Sequence, residues 1–235
     1  MKNRERLLSE LENILSVKYN DLKLLDIALT HSSFANQKNN IDYNERIEFL
    51  GDSVLQLTIS EYLFNNFKDK LEGELTKLRS LIVCENSLHE IGKLWDIGKY
   101  INMSRGEELT GGKTRVSILA DAVEAVIASV YIDKGIGVAK EFILKNFKDI
   151  IDKACKNEII LDYKTKLQEI LQKNGEIDIQ YNMIGFEGPP HRRIFFMEVI
   201  IDGKHMTKGE GYSKKEAEQN AAKNWLKSLE EKHVK

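Results

Sequence analysis

The stretch ERIEFLGDSVL, residues 45–55, combines an apolar repeat with three acids. On a helix each residue advances about 100°. Counted from Glu45, Glu48 falls near ~300° and Asp52 near ~340°, so the acids share an arc of about 60°. Ile47, Leu50, Val54 and Leu57 gather opposite them, between about 120° and 200°. The stretch therefore reads as a helix with an apolar keel and a tight row of like charges. Charges at that spacing repel by a few tenths of a kcal/mol, so something is expected to neutralise them. Phe49 falls near ~40°, on the charged side and away from the keel.

A second amphipathic helix is predicted over SILADAVEAVIASVYID, residues 117–133. Leu119, Val123, Val126 and Val130 form its apolar stripe, and Asp121 and Glu124, at i and i+3, project together from the other side. Burying carboxylates among Ala and Val is costly unless a partner or a metal balances them. Two helices that each carry acids at one-turn spacing suggest one shared site for hard cations. Oxygen-only ligands suit Mg²⁺ or Mn²⁺, whereas zinc would recruit His or Cys. A pair of such ions can activate a water and stabilise a leaving oxygen in phosphodiester cleavage. The spacing alone leaves a second reading open, in which these acids are solvated faces or pair with Arg46, Lys113 or Arg115.

Working outward, the chain up to about 161 is a series of short helical patterns punctuated by Gly73, Gly98, Gly111-Gly112 and Gly135. It holds no proline and no sustained alternation there. Both prolines, Pro189 and Pro190, fall in the last third, where IDIQYNMIGF, RRIFFMEVII and KHMTKGEGY alternate as half-buried strands do. Helical patterns flank them (DYKTKLQEILQK and SKKEAEQNAAKNWLKSL), which marks a second domain of order helix, three strands, helix. In the last helix Ser213 and Glu216 form a capping box. Lys214 and Lys215 occupy its first turn, where cations oppose the macrodipole and a bound anion would reverse the cost. Ala217, Ala221 and Trp225 recur every fourth residue, a smooth face for packing on a sheet.

Composition excludes several classes. The 235 residues are 42% hydrophobic and 31% charged, as in a water-soluble globular chain. No apolar run approaches a membrane span, and the charged N-terminal segment does not read as a secretory signal. Cys84 and Cys155 lack metal-type or redox-type spacing, which points to a reducing cytoplasm. Net charge is −2, so any nucleic-acid footprint is local rather than global. GEELTGGKT, residues 106–114, approaches a phosphate-binding P-loop but has five residues between Gly106 and Gly112 where the motif needs four, and no strand precedes it; no nucleotide cofactor is expected. As a Gly-rich loop leading into Lys113 and Arg115, it is expected to touch a phosphate backbone instead. His31 and His89 have no ligand-spaced partner and read as structural.

NERIEFLGDSVL (44–55) closely resembles the signature of the ribonuclease III family, endonucleases of double-stranded RNA. SILADAVEA (117–125) looks like that family's second acidic motif, and LTHSSF (29–34) and EGELTKLRSLIV (72–83) fit the stretches between. Residues 162–231 resemble a double-stranded-RNA-binding domain, with its GPPH and SKKEAEQNAA motifs. The resemblance implies an all-α nuclease domain over 1–150, a linker at 151–161 and a small α+β domain (α-β-β-β-α) over 162–231. It implies a Mg²⁺-dependent endoribonuclease, with Mn²⁺ able to substitute, that leaves 5′-phosphate and 3′-hydroxyl ends and processes precursor rRNA and structured transcripts. The rival is a non-catalytic protein that binds double-stranded RNA.

By the same resemblance Glu48, Asp52, Asp121 and Glu124 match the metal-binding carboxylates, with Asp52 and Glu124 the most directly catalytic. Glu45 and Glu72 match auxiliary acids of the same valley. Phe49 matches an anchor of a homodimer interface. Thr165, Gln168 and Glu169 match a helix face that reads one minor groove of the RNA, and His191 matches a residue that reaches a second. Lys214 and Lys215 match phosphate contacts between the two.

Overall fold

The computed structural model describes residues 2–38, 41–156, 158–159, 162–173, 177–189 and 193–233. They divide into two compact units, Met1–Ile159 and Ile160–Lys235. The first contains α1 (Lys2–Leu15), α2 (Leu22–Ala28), α3 (Ser32–Ala35), α4 (Glu45–Asn66), α5 (Glu72–Ile82), α6 (Glu85–Leu94), α7 (Arg105–Leu109), α8 (Val116–Asn146) and α9 (Lys148–Cys155). Its described residues include no strand, only an isolated bridge between Thr30 and Asn102.

Helix α8 is the axis of this unit. Leu119, Val123, Val126 and Val130 are buried as the periodicity predicts, and so are Ile118, Ala120, Ala122, Ala125, Ile127, Ala128 and Ser129. A helix apolar on nearly every side is one surrounded by other helices; here α2, α4 and α6 pack around it. It runs past the predicted end at 133 and breaks at Gly135, whose φ of 81° is open to glycine without strain.

Helix α4 crosses α8 closely enough that a Cβ on Gly51 would stand 1.9 Å from the Glu124 carbonyl oxygen. Val54, Leu55 and Ile59 fill the seam. Leu57, expected on the buried keel, is 57% exposed instead. It looks onto a groove between α4 and α5 lined also by Leu63, Phe64, Leu75 and Arg79. The expected linker at 151–161 overlaps α9, whose Ile150, Ile151 and Ala154 are buried in the helical core. Their apolar i, i+1, i+4 spacing docks the helix on α5.

The second unit holds α10 (Tyr163–Gln172), β1 (Ile179–Glu187), β2 (Ile194–Ile201), β3 (Lys204–Gly211) and α11 (Lys214–His233). The antiparallel sheet has order β1-β2-β3, with Tyr181 opposite Val199, Phe196 opposite Glu210 and a bulge between Met183 and Gly185. Asp202 and Gly203, both at positive φ, make the tight turn from β2 to β3. Helix α11 lies almost on the backbone of β3: Ala217 and Ala221 are fully buried, and a Cβ on Gly209 would stand 2.1 Å from the Ala221 nitrogen. The smooth alanine face read from the sequence therefore meets a glycine strand. Gln219 joins the two helices, accepting the Tyr163 N–H at 2.7 Å and donating to Asp162 at 2.8 Å.

Candidate active site

The two acidic helices converge where Gly51 admits the α8 backbone. One carboxylate oxygen each from Glu48, Asp121 and Glu124 lies within 4.8 Å of the others. Asp52, one turn along α4 from Glu48, is not in that trio: both its oxygens accept the Gln56 amide, at 2.8 and 2.9 Å. It is nevertheless close enough for its charge to act on both Glu48 and Glu124. Glu45, the exposed first residue of α4, acts on Glu48 and Asp121 from the rim.

The electrostatics of the group are unbalanced. Burial, then the charges of Asp52, Glu48 and Asp121, push the Glu124 carboxyl up to about 8. Burial, then Asp121, Glu45 and Asp52, push Glu48 up to about 7. Asp121 is raised as well, by burial and by Glu85. Among the described residues no cationic side chain forms an ion pair with any of the four: Lys113 is held by Glu108 and Arg115 by Glu107, each at 2.5 Å. The reading in which Arg46, Lys113 or Arg115 pairs with the acids therefore does not apply, and Lys113 and the adjoining Arg115 are engaged locally. Three converging hard oxygens with surplus negative charge are a donor set suited to a divalent cation such as Mg²⁺ or Mn²⁺.

Glu72 is not brought to this group. It opens α5, accepts the Thr76 hydroxyl at 3.0 Å and lines the α4–α5 groove of about 680 Å³ beside Leu57 and Phe64. Leu57 is nine residues along α4 from Glu48, about 13 Å of helix. Phe49 is 78% exposed, on the outer side of α4. Two neighbours of the cluster were invisible to spacing arguments. Glu85, at the start of α6, and His31, at the start of α3, both act on Asp121. Each reaches the site from a distant segment, so no local pattern could have announced it.

In the second unit Thr165, Gln168 and Glu169 lie exposed along α10, and Lys214 and Lys215 lie exposed in the first turn of α11. Thr165, Gln168 and Lys215 share one groove of about 750 Å³. Both helix starts are rigidly capped. Asp162 accepts the Thr165 N–H and hydroxyl, and its bonds to Gln219 and Thr165 hold its carboxyl down at about 2. Ser213 accepts the Glu216 N–H at 3.1 Å, while Glu216 accepts the Tyr212 N–H at 2.8 Å. His191 lies outside the described residues.

A helical unit with a carboxylate cluster, followed by this α-β-β-β-α unit, defines a nuclease joined to a module for duplex RNA. The sequence matches the Ribonuclease-III-like family over residues 21–150 and the double-stranded RNA binding motif over residues 163–229. Ribonuclease 3 of Clostridium beijerinckii is 66% identical over 226 residues, covering 96% of this chain and 97% of that one. Ribonuclease 3 of Clostridium tetani is 65% identical over 223 residues, 95% of each chain. A solved structure of the nuclease domain of ribonuclease III from Campylobacter jejuni is 42% identical, with a TM-score of 0.56 over 59% of this chain and 94% of that one. The chain belongs to the ribonuclease III family and is an endoribonuclease of double-stranded RNA, which agrees with the family and the fold expected from its motifs.

Proposed function

We propose that cutting takes place at the α4–α8 carboxylates, with Glu48, Asp52, Asp121 and Glu124 holding Mg²⁺, or Mn²⁺ in its place. The observation that carries this is the approach of the Glu48, Asp121 and Glu124 oxygens to within 4.8 Å without a compensating cation among the described residues. A divalent ion held by these carboxylates would supply Lewis acidity, to make a water nucleophilic and to stabilise the departing oxygen. The chain supplies direction. Gly51 holds α4 and α8 at a fixed separation, so the oxygens of Glu48, Asp121 and Glu124 converge before substrate arrives. Asp52 joins them by exchanging its Gln56 bonds for the shared site, and Asp52 and Glu124 are the acids closest to the chemistry. Glu45 adds negative charge at the rim. Cleavage leaves 5′-phosphate and 3′-hydroxyl ends on precursor rRNA and structured transcripts.

The domain assignment that goes with this is a nuclease domain over 1–150, its core extended by α9 into the expected linker at 151–161, and an RNA-binding domain over 162–231. In the latter, Thr165, Gln168 and Glu169 follow one minor groove and Lys214 and Lys215 clamp the phosphates beyond it, with His191 in a second minor groove. The protein works as a homodimer. The Campylobacter jejuni nuclease domain has a region involved in dimer formation, and here α4 carries both an exposed Phe49 and the apolar groove that a second copy would cover. Glu72 lines that groove and would face the second copy. Two free cysteines accord with a cytoplasmic setting.

The test is a long RNA duplex incubated with the parent protein or with Glu124→Gln, in Mg²⁺ or in chelator. Cutting is expected from the parent in Mg²⁺ only, and Glu124→Gln is expected to bind the duplex without cutting it. Cleavage by Glu124→Gln at the parent's rate would refute the assignment. Binding by the parent with no metal-dependent turnover would favour the non-catalytic reading.

A further inference from the structure

His31 neighbours the carboxylates but has no role in the chemistry described so far, and the main chain holds it in place. Its N–H donates to the Asn102 carbonyl at 2.9 Å, and the carbonyl of Thr30 accepts the Asn44 N–H at 2.9 Å. Asn44 caps α4, and its own carbonyl accepts the Glu48 N–H at 2.8 Å. His31 is thus tied one residue away from the cap of the helix that carries Glu48. Its side chain is half-buried and near enough to Asp121 to act on that carboxyl.

Hydrogen bonds assign the ring's tautomer. The Ser33 N–H donates to Nδ1 at 3.2 Å, and the Ser33 hydroxyl lies 2.8 Å from the same nitrogen. That hydroxyl oxygen is held in turn by the Ser104 N–H at 3.0 Å. Nδ1 is therefore an acceptor, and the neutral imidazole carries its proton on Nε2. Nε2 faces away from Ser33 and has no hydrogen-bond partner among the described residues.

We propose that His31 is a substrate-binding residue of this site, its Nε2–H donating to a phosphate oxygen of the RNA strand drawn to the acidic cluster. This rests on reading the cluster as the place of cutting. The RNA backbone is anionic, and the side chains that converge there are carboxylates, which once ionised around a cation have no proton to donate to a phosphate oxygen. A neutral donor of fixed direction grips that oxygen without competing with the acids for cations. A hydrogen bond to a charged group of this kind is worth about ten- to a hundred-fold in kcat/KM.

A purely structural role, capping α3, makes the opposite prediction for two substitutions. His31→Asn keeps a side-chain acceptor at the Nδ1 position, a good N-cap, but removes the distal donor. His31→Gln removes that acceptor but carries an amide N–H near the Nε2 position. The experiment measures cleavage of an RNA duplex, Tm, and calorimetric Mn²⁺ binding to the RNA-free protein, for both variants and the parent. His31→Asn is expected to lose about ten- to a hundred-fold in kcat/KM while Tm and Mn²⁺ affinity stay at the parent's values. His31→Gln is expected to cut within a few-fold of the parent. The proposal is overturned if His31→Asn cuts like the parent, if His31→Gln loses as much as His31→Asn, or if Mn²⁺ affinity falls with activity. Glu124→Gln, run alongside, separates the two claims. If it cuts like the parent the acidic-site reading fails; if it is inactive and His31→Asn is unimpaired, only the role of His31 fails.

Discussion

Replacing Gly51 by alanine tests whether the site depends on helix separation. On an exposed helix the change would stabilise by up to about 1 kcal/mol, because alanine is the better helix former. Here the new Cβ would stand 1.9 Å from the Glu124 carbonyl oxygen and 2.5 Å from its carbon, and the obstacle is backbone, not a flexible side chain. Reaching even 3.0 Å, which real Cβ atoms essentially never undercut, requires α4 and α8 to part by 1.1 Å. Overpacking costs about 1–3 kcal/mol, and a backbone obstacle belongs at the upper end. Net destabilisation of about 2–3 kcal/mol is expected, a fall in Tm of roughly 5–10 °C for a unit of this size. The same movement separates Glu48 from Glu124, so Mn²⁺ affinity and cleavage should fall with it. Thermal unfolding followed by circular dichroism, with calorimetric Mn²⁺ titration, reads both effects. A Gly51→Ala protein as stable as the parent, or more stable, would refute the close crossing and with it the account of how the carboxylates are held.

Three further outcomes are expected. In chelator, stability should fall as pH rises. Glu48 and Glu124 titrate near 7 and 8 when folded, above the ordinary carboxylate value, so between about pH 4.5 and 8 the folded state holds more protons than the unfolded. Both carboxyls reach solvent, so after screening the loss is about 1–2 kcal/mol, or roughly 3–6 °C between pH 5 and 8. Mg²⁺ should remove the slope and Glu124→Gln should flatten it; a Tm that rises over that range in chelator and is unaffected by the substitution contradicts the reading. Phe49→Asp should make dimer give way to monomer in analytical ultracentrifugation, with Tm falling only by what the lost dimer contact contributed, since within one chain the side chain is 78% exposed. An unchanged dimer would remove Phe49 from the interface. Lys214→Ala with Lys215→Ala should weaken binding to all duplexes alike and lower the salt slope by about one for each lysine. A sequence-selective loss would contradict a phosphate role.

Periodicity located the acidic helices because burial repeats along a helix every three to four residues, and the buried stripe of α8 matched residue for residue. It misjudged Leu57. The residues α4 buries are Gly51, Val54, Leu55, Thr58, Ile59 and Leu63, an arc rotated toward the acids from the keel drawn opposite them, which leaves Leu57 bordering an open groove. Glu72 could be matched to an acidic motif but not located: α5 starts beside the far end of α4, so within one chain the residue stands apart from the others. The helix–three strands–helix order of the second unit was legible because strand alternation and capping residues are local signals. The near-contact of Gly209 with α11 was not, since it joins two elements through backbone alone.

The sequence by itself determined which side chains could do the chemistry, since an acid spaced one turn from another shares its face whatever else the chain does. It also determined the two-part architecture, because apolar period follows from local geometry. Tertiary structure alone decided which of those acids meet. Glu48, Asp121 and Glu124 converge where a glycine lets two backbones touch, Asp52 turns to Gln56, Glu72 lies elsewhere, and His31 and Glu85 arrive through loops. Distances between segments far apart in the chain are set by how closely helices pack, and a linear pattern does not record that separation.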